Sequence, residues 1–203
     1  METKESIRLF WFGNISDDEQ TQKENIKEKS LLWWGKDFHA DDEIKKRFET
    51  YVIKAVHREL DHWLETAAGR LALILLTDQF TRNIYRNTPK AFEYDRLARN
   101  WCKEGIQKGC HQELQPIEQI FFYLPLEHSE LLEDQDLSVK LFKELAASIA
   151  PEQKSDFDGF YDYAIRHRQV IARFGRFPHR NEILGRESTE EEKNFLKEPN
   201  SSF

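Results

Sequence analysis

Residues 71–85 read Leu-Ala-Leu-Ile-Leu-Leu-Thr-Asp-Gln-Phe-Thr-Arg-Asn-Ile-Tyr. The first two turns of this stretch are apolar on every side, the pattern of a helix enclosed by protein rather than laid on a surface. Its purely apolar run, Leu71 to Leu76, is six residues long, whereas a bilayer span needs ~20. The Leu71, Leu75 stripe continues through Asp78, Arg82 and Tyr85. Asp78 and Arg82 are thus i,i+4 neighbours near a core, where a carboxylate needs a partner. Two readings stand: a buried ion pair that fixes helix register, or a pair that faces a ligand. Gln79, Asn83 and Arg86 add polar groups on an adjacent face.

Helix-start signals recur along the chain. Ser16 with Glu19, Ser155 with Asp158 and Ser188 with Glu191 fit a capping box or its Asp variant, and Thr88-Pro89 reads as an N-cap with proline at the first helical position. Apolar spacing between these signals predicts nine helices, over 3–12, 17–33, 41–64, 68–85, 89–107, 115–124, 130–149, 156–174 and 189–197. No Pro- or Ser-rich linker divides them, so the expectation is one all-helical domain over 1–203, with helices packed as antiparallel neighbours.

Composition agrees. Of 203 residues, 33% are charged and 13% aromatic, including fifteen Phe and five Trp. Leu, Ile, Val and Phe make up about a quarter of the chain, above the ~20% below which disorder is expected. Eight Gly and six Pro leave little material for a many-stranded sheet. The N-terminus lacks the long apolar stretch of a signal peptide. Cys102 and Cys110 are eight positions apart with no C-x-x-C, and if both sat on one helix they would stand roughly 12 Å apart, too far for a disulfide. These features predict a reduced, cytoplasmic protein with no membrane partner. The net charge of −7 disfavours a nucleic-acid partner. It conceals a reversal, because Arg166 to Arg186 holds six Arg and one acid, Glu182.

That basic stretch and one other segment are the remaining candidates for chemistry. In Tyr123-Leu-Pro-Leu-Glu-His-Ser-Glu130, Pro125 should end or kink the helix and leave Glu127, His128, Ser129 and Glu130 in a turn. His128 between two carboxylates suits a general base or a metal ligand, or else Ser129 simply caps the next helix. Beyond, Gly175 ends a helix and Pro178 keeps the following loop irregular. Arg173, Arg176, Arg180 and Arg186 recur through it, with His179 among them, and arginine forks suit carboxylate or phosphate. They can equally clamp acids of neighbouring helices, including Asp78 or Glu127. His167 lies on the apolar face of its helix, as a satisfied core histidine does. Templates for di-iron, zinc-protease, serine-hydrolase, P-loop, dinucleotide and EF-hand sites all fail, so neither metal nor cofactor is expected.

Taken together, FWFG (10–13), WW (33–34), GRLALILLTDQFTRNIYRNTPKAF (69–92), FYLPLEHSE (122–130) and IARFGRFPHRNEILGREST (171–189) resemble, in order, the bacterial family called domain of unknown function 924. The resemblance implies a single all-α domain with a tetratricopeptide-like arrangement of helix pairs, and implies no reaction. Thr81 stands where the family pattern has Pro, Asn87 where it has Gly, and Gln119 where it has Arg.

Three functional expectations follow from these residues. The leading one is a pocket lined by Asp78, Arg82, Asn83, Glu127, His128, Arg176, His179 and Arg180 that binds a small anionic molecule or a peptide carboxylate. The second is a hydrolase with His128 or His179 as acid/base, Asp78 or Glu127 as orienting carboxylate, and arginines stabilising negative charge. The third is an interaction scaffold in which the same groups form a structural ion network.

Overall fold

The computed structural model of the chain describes residues 1–14, 19–199 and 201–202, with backbone only for 19–23. Helices α1 (Lys4–Phe12), α2 (Glu19–Trp34), α3 (Phe38–Val56), α4 (Ala67–Ile74) and α5 (Phe80–Ile84) form the first half. The second half holds α6 (Asp95–Gln107), α7 (Pro116–Glu127), α8 (Leu132–Ser148), α9 (Lys154–Phe174) and the short α10 (Glu190–Phe195). The protein is all-α, with no strand among the described residues. No described helix is long and apolar enough to cross a membrane.

The apolar stretch from Leu71 onward is the centre of the molecule. Leu71 to Leu76, Thr77, Asp78, Phe80 and Thr81 are wholly shielded from solvent, because α4 and α5 are packed round by α1, α3, α6 and α7. Between α4 and α5 the helix widens into one π turn, Leu75–Gln79. Threonine hydroxyls there bond back to the helix, from Thr77 to the Leu73 carbonyl at 2.8 Å and from Thr81 to those of Thr77 and Asp78 at 3.2 Å each. Such side-chain bonds compete with the regular ladder, and single π turns are frequent at functional sites.

Aromatic residues fill the space on one side of this rod. Phe121 of α7 is their hub, meeting Trp11, Phe12, Trp33 and Trp34 with ring centroids 5.0–5.7 Å apart. The FWFG and WW motifs thus serve the core. From α7 onward, consecutive helices pack on one another, α7 on α8 and α8 on α9.

Several expected boundaries shift, each for a local reason. The helix expected over 41–64 starts at Phe38, capped by the Asp37 carboxylate on the His39 and Ala40 amides, and stops at Val56. There Arg58 takes a left-handed conformation, φ 66°, and the chain resumes as a 3₁₀ turn over Asp61–Glu65. The element expected over 89–107 is a 3₁₀ turn, Pro89–Phe92, followed by α6, and the Thr88 hydroxyl bonds the Tyr85 carbonyl instead of capping. Pro125 does not end α7, which runs on to Glu127 with His128 donating to the Leu124 carbonyl at 2.8 Å. Proline in the last turn removes one bond without stopping the helix. The Ser155 cap is replaced by Gln153, and the Ser188–Glu191 box lies one residue later, as a reciprocal Thr189–Glu192 box. The Ser16–Glu19 pair lies outside the residues whose side chains are described. Asn87 supplies the left-handed turn, φ 61°, that glycine would otherwise fill. Gln119 hydrogen-bonds Leu114 and Tyr123 within its own segment.

Arg70 carries no signal of its role in the sequence. It is almost wholly buried and donates to the carbonyls of Trp101 and Leu64 and to Glu104 at 3.0–3.2 Å. Gly105 makes room for it, since a Cβ there would lie 2.5 Å from both Arg70 Cδ and Phe122 Cζ. In an ordinary helix interior, Gly→Ala is favourable by about 1 kcal/mol. Here overpacking, worth about 1–3 kcal/mol, reverses the sign. Urea unfolding of Gly105→Ala should show a loss of stability; a gain would contradict this packing.

Candidate functional site

Asp78 projects from the π turn towards the end of α7. His128, the C-cap residue of α7, places Nδ1 2.8 and 3.0 Å from the two Asp78 carboxylate oxygens. Arg82, one turn on, sits 3.2 Å from Asp78 Oδ1 and also donates to the Asp78 backbone carbonyl. Its other contact is a two-pronged bond to Asp95 at the start of α6, both prongs 2.9 Å. Gln79 donates to Asp78 Oδ2. Burial opposes ionisation of Asp78, but Arg82 and then His128 outweigh it and hold the carboxyl below its ordinary range.

Arg180 enters from the Pro178–Arg180 turn. Its guanidinium lies between two rings, 4.8 Å from the centroid of Phe92 and 4.4 Å from that of Phe177. Nη1 donates to the His128 carbonyl at 3.0 Å and lies 3.6 Å from Asp95, while Nε is buried with no hydrogen-bond partner among the described residues. Burial, with Arg82 nearby, lowers this arginine to about 10. It is a cation short of counter-charge.

Of these groups His128, Asp95 and Arg180 line a cleft of about 290 Å³, while Asp78 and Arg82 lie behind its wall. Phe92, Pro125 and Leu184 give it apolar walls; Arg96, Arg99 and Glu130 stand round it with His128 and Arg180. Ser129 also lines it, but its hydroxyl donates to Asp134 at 2.8 Å and accepts from Arg99 and the Leu131 amide. Because Asp78 holds Nδ1 of His128, the ring nitrogen without a partner among the described residues is Nε2, on a residue that lines the cleft.

Of the residues expected to line the pocket, Asp78, Arg82, His128 and Arg180 come together, but it is His128 and Arg180 that line the cleft, with Asp78 and Arg82 behind them. Glu127 lies behind them, its Oε1 3.3 Å from Nδ1 of the buried His167 and its Oε2 without a hydrogen bond among the described residues. His167 Nδ1 is also 2.9 Å from the Tyr163 carbonyl. His179 packs beside Phe177 and does not line the cleft. Asn83 turns away to Asp41, which also takes a fork from Arg86, in a second depression. Arg176 is committed to Glu192, Arg173 to Glu191 and Arg186 to Glu130. The basic loop is therefore mostly clamped onto acids, and Arg180 is the member that reaches the cleft. Asp95, Arg96 and Arg99 were missed; their spacing on α6 reads as an ordinary solvated face.

Burial sets the remaining titrations. Glu127 is pushed up to about 8 by burial and by the charge of Asp78. His167 and His179 are pushed down to about 3, and burial also lowers His128, with Arg82 adding and Asp78 opposing. The lowered histidines are neutral when folded, so stability falls as acid protonates their unfolded counterparts. Raised Glu127 acts oppositely: the stability it carries at low pH is lost as pH rises towards 8. Above the ordinary histidine value of ~6.5 only the Glu127 effect is left among these groups. Glu127→Gln should gain stability relative to the parent between about pH 6.5 and 8, by about 2 kcal/mol. Parallel urea-unfolding curves across that range would contradict it.

The chain matches a family model described as bacterial protein of unknown function (DUF924) over residues 7–200. No curated relative matches it. A solved structure, that of the protein of unknown function ATU0120 from Agrobacterium tumefaciens, is 37% identical to it, with 89% of this chain and 99% of that one covered and a TM-score of 0.75. With the model match extending from α1 to beyond α10, the chain belongs to the DUF924 family of bacterial proteins.

Proposed function

We propose that the protein binds a small anionic molecule in the cleft between α6, the α7–α8 corner and the Pro178–Arg180 turn. The observation that carries this is Arg180, a ring-sandwiched guanidinium lining the cleft with an uncommitted Nε. Arg96 supports it, an exposed rim residue with no ion pair among the described residues. Two of the cleft's acids are already answered, Asp95 by Arg82 and Glu130 by Arg186. A purely structural ion network accounts for those pairs but leaves Arg180 Nε and Arg96 without a purpose. A volume of about 290 Å³, at the lower edge of the ~300–1,000 Å³ typical of ligand sites, suits a metabolite-sized anion or the terminal carboxylate of a peptide. With this reading go a single domain over 1–203, a tetratricopeptide-like helix arrangement and a cytoplasmic setting.

Thermal-shift and calorimetric titration with inorganic phosphate, succinate and citrate should reveal a ligand that raises the melting temperature. At a hundredfold excess over Kd, the stabilisation is about 2.7 kcal/mol. Arg96→Ala should weaken binding several-fold and Arg180→Gln should abolish it. Absence of any shift, or a shift that survives Arg180→Gln, would overturn the proposal.

A further inference from the structure

We infer that the cleft is a catalytic site for hydrolysis of carboxyl esters bearing a second, anionic group, with His128 Nε2 as general base and Asp78 as its positioning residue; this rests on the anion-binding reading above. Sequence alone does not decide which histidine pairs with which carboxylate. The geometry selects His128 with Asp78, at 2.8 and 3.0 Å. Glu127 faces His167 in the interior, and His179 is not a lining residue.

The arrangement has the parts that acid/base chemistry needs. Neutral His128 shares the hydrogen on Nδ1 with Asp78, so Nε2 carries the lone pair, and Nε2 belongs to a residue of the cleft wall. Asp78 is fully buried and doubly paired, so the imidazole cannot turn without breaking a charged contact. Burial keeps His128 below its ordinary range, neutral and able to accept a proton at physiological pH. Among the residues lining the cleft, the one hydroxyl is that of Ser129, already donated to Asp134. Water is therefore the nucleophile.

Nε2 removes a proton from water as its oxygen bonds the ester carbonyl carbon, giving a tetrahedral oxyanion and an imidazolium paired with Asp78. The carbon–oxygen bond to the leaving group then breaks, and Nε2–H returns its proton to that alkoxide. Products are an acid and an alcohol, and His128 is neutral again. Arg96 and Arg180 hold the anionic group that is not cleaved, so the scissile carbonyl, not the anchor, lies by Nε2.

The test uses the full chain with mono-4-nitrophenyl succinate, which joins a free carboxylate to an aryl ester, and with uncharged 4-nitrophenyl acetate as comparison. Expected are turnover of the succinate ester above the buffer rate, preference for it over the acetate, and a loss of ~10²-fold or more in kcat for His128→Gln with KM within about threefold. Added imidazole should restore part of the activity of His128→Ala, a response a structural histidine would not give. Asp78→Asn should lower kcat and alter the pH profile; if it fails to fold, the His128 variants, checked by circular dichroism, still decide. Succinate-ester hydrolysis no faster than buffer, or unchanged in His128→Gln, overturns the catalytic inference. If phosphate or succinate nevertheless gives an Arg180-dependent thermal shift, the binding reading stands; if that shift is missing too, both fall.

Discussion

A fully buried carboxylate at position 78 is the constraint on which the rest of the site depends. Left alone in a core it would be protonated or would unfold its surroundings, since an unpaired buried charge costs several kcal/mol. Gln79 and Arg82 answer it from the same stretch of chain, and the end of α7 is drawn to the π turn because His128 supplies the long-range partner. Arg82 in turn draws Asp95, and with it the start of α6, into place. The cleft is the outer side of this assembly, and its residues are those that finish pairing Asp78 or stand beside those that do.

The basic loop closes the assembly from the other side. Glu130 takes the Arg186 fork at 2.7 and 2.9 Å and the Phe177 amide at 2.8 Å, while Glu192 holds Arg176. Most of the six arginines of Arg166–Arg186 are thus answered by acids of the same chain. These pairs matter for placement, since exposed ion pairs add little stability. They fix the loop on which Arg180 and its flanking Phe177 are carried.

Legibility followed range. The enclosure of residues 71–76 and the i,i+4 relation of Asp78 to Arg82 were readable because both are one-helix properties. The π turn was hidden, since Thr77 and Thr81 look like ordinary polar breaks in an apolar run. The stop at Arg58 was hidden because no glycine or proline marks a left-handed residue there. Pro125 was over-read: proline near a helix end need not end it. For the site, residue types were readable and destinations were not. Asn83 and Arg176 look as eligible as Arg180, and only their long-range partners, Asp41 and Glu192, separate them. Asp95, Arg96 and Arg99 gave no signal, because their role comes from which face of α6 the α7–α8 corner meets.

The central claim is that Asp78 fixes His128 with its Nε2 lone pair presented to an anion-accepting cleft. Nuclear magnetic resonance of isotope-labelled histidine near neutral pH tests it most directly. The account predicts that His128 carries its proton on Nδ1, strongly hydrogen-bonded, and that Nε2, unprotonated, shifts when phosphate or succinate is added. An Nε2-protonated ring, or a His128 signal indifferent to both anions, would contradict it.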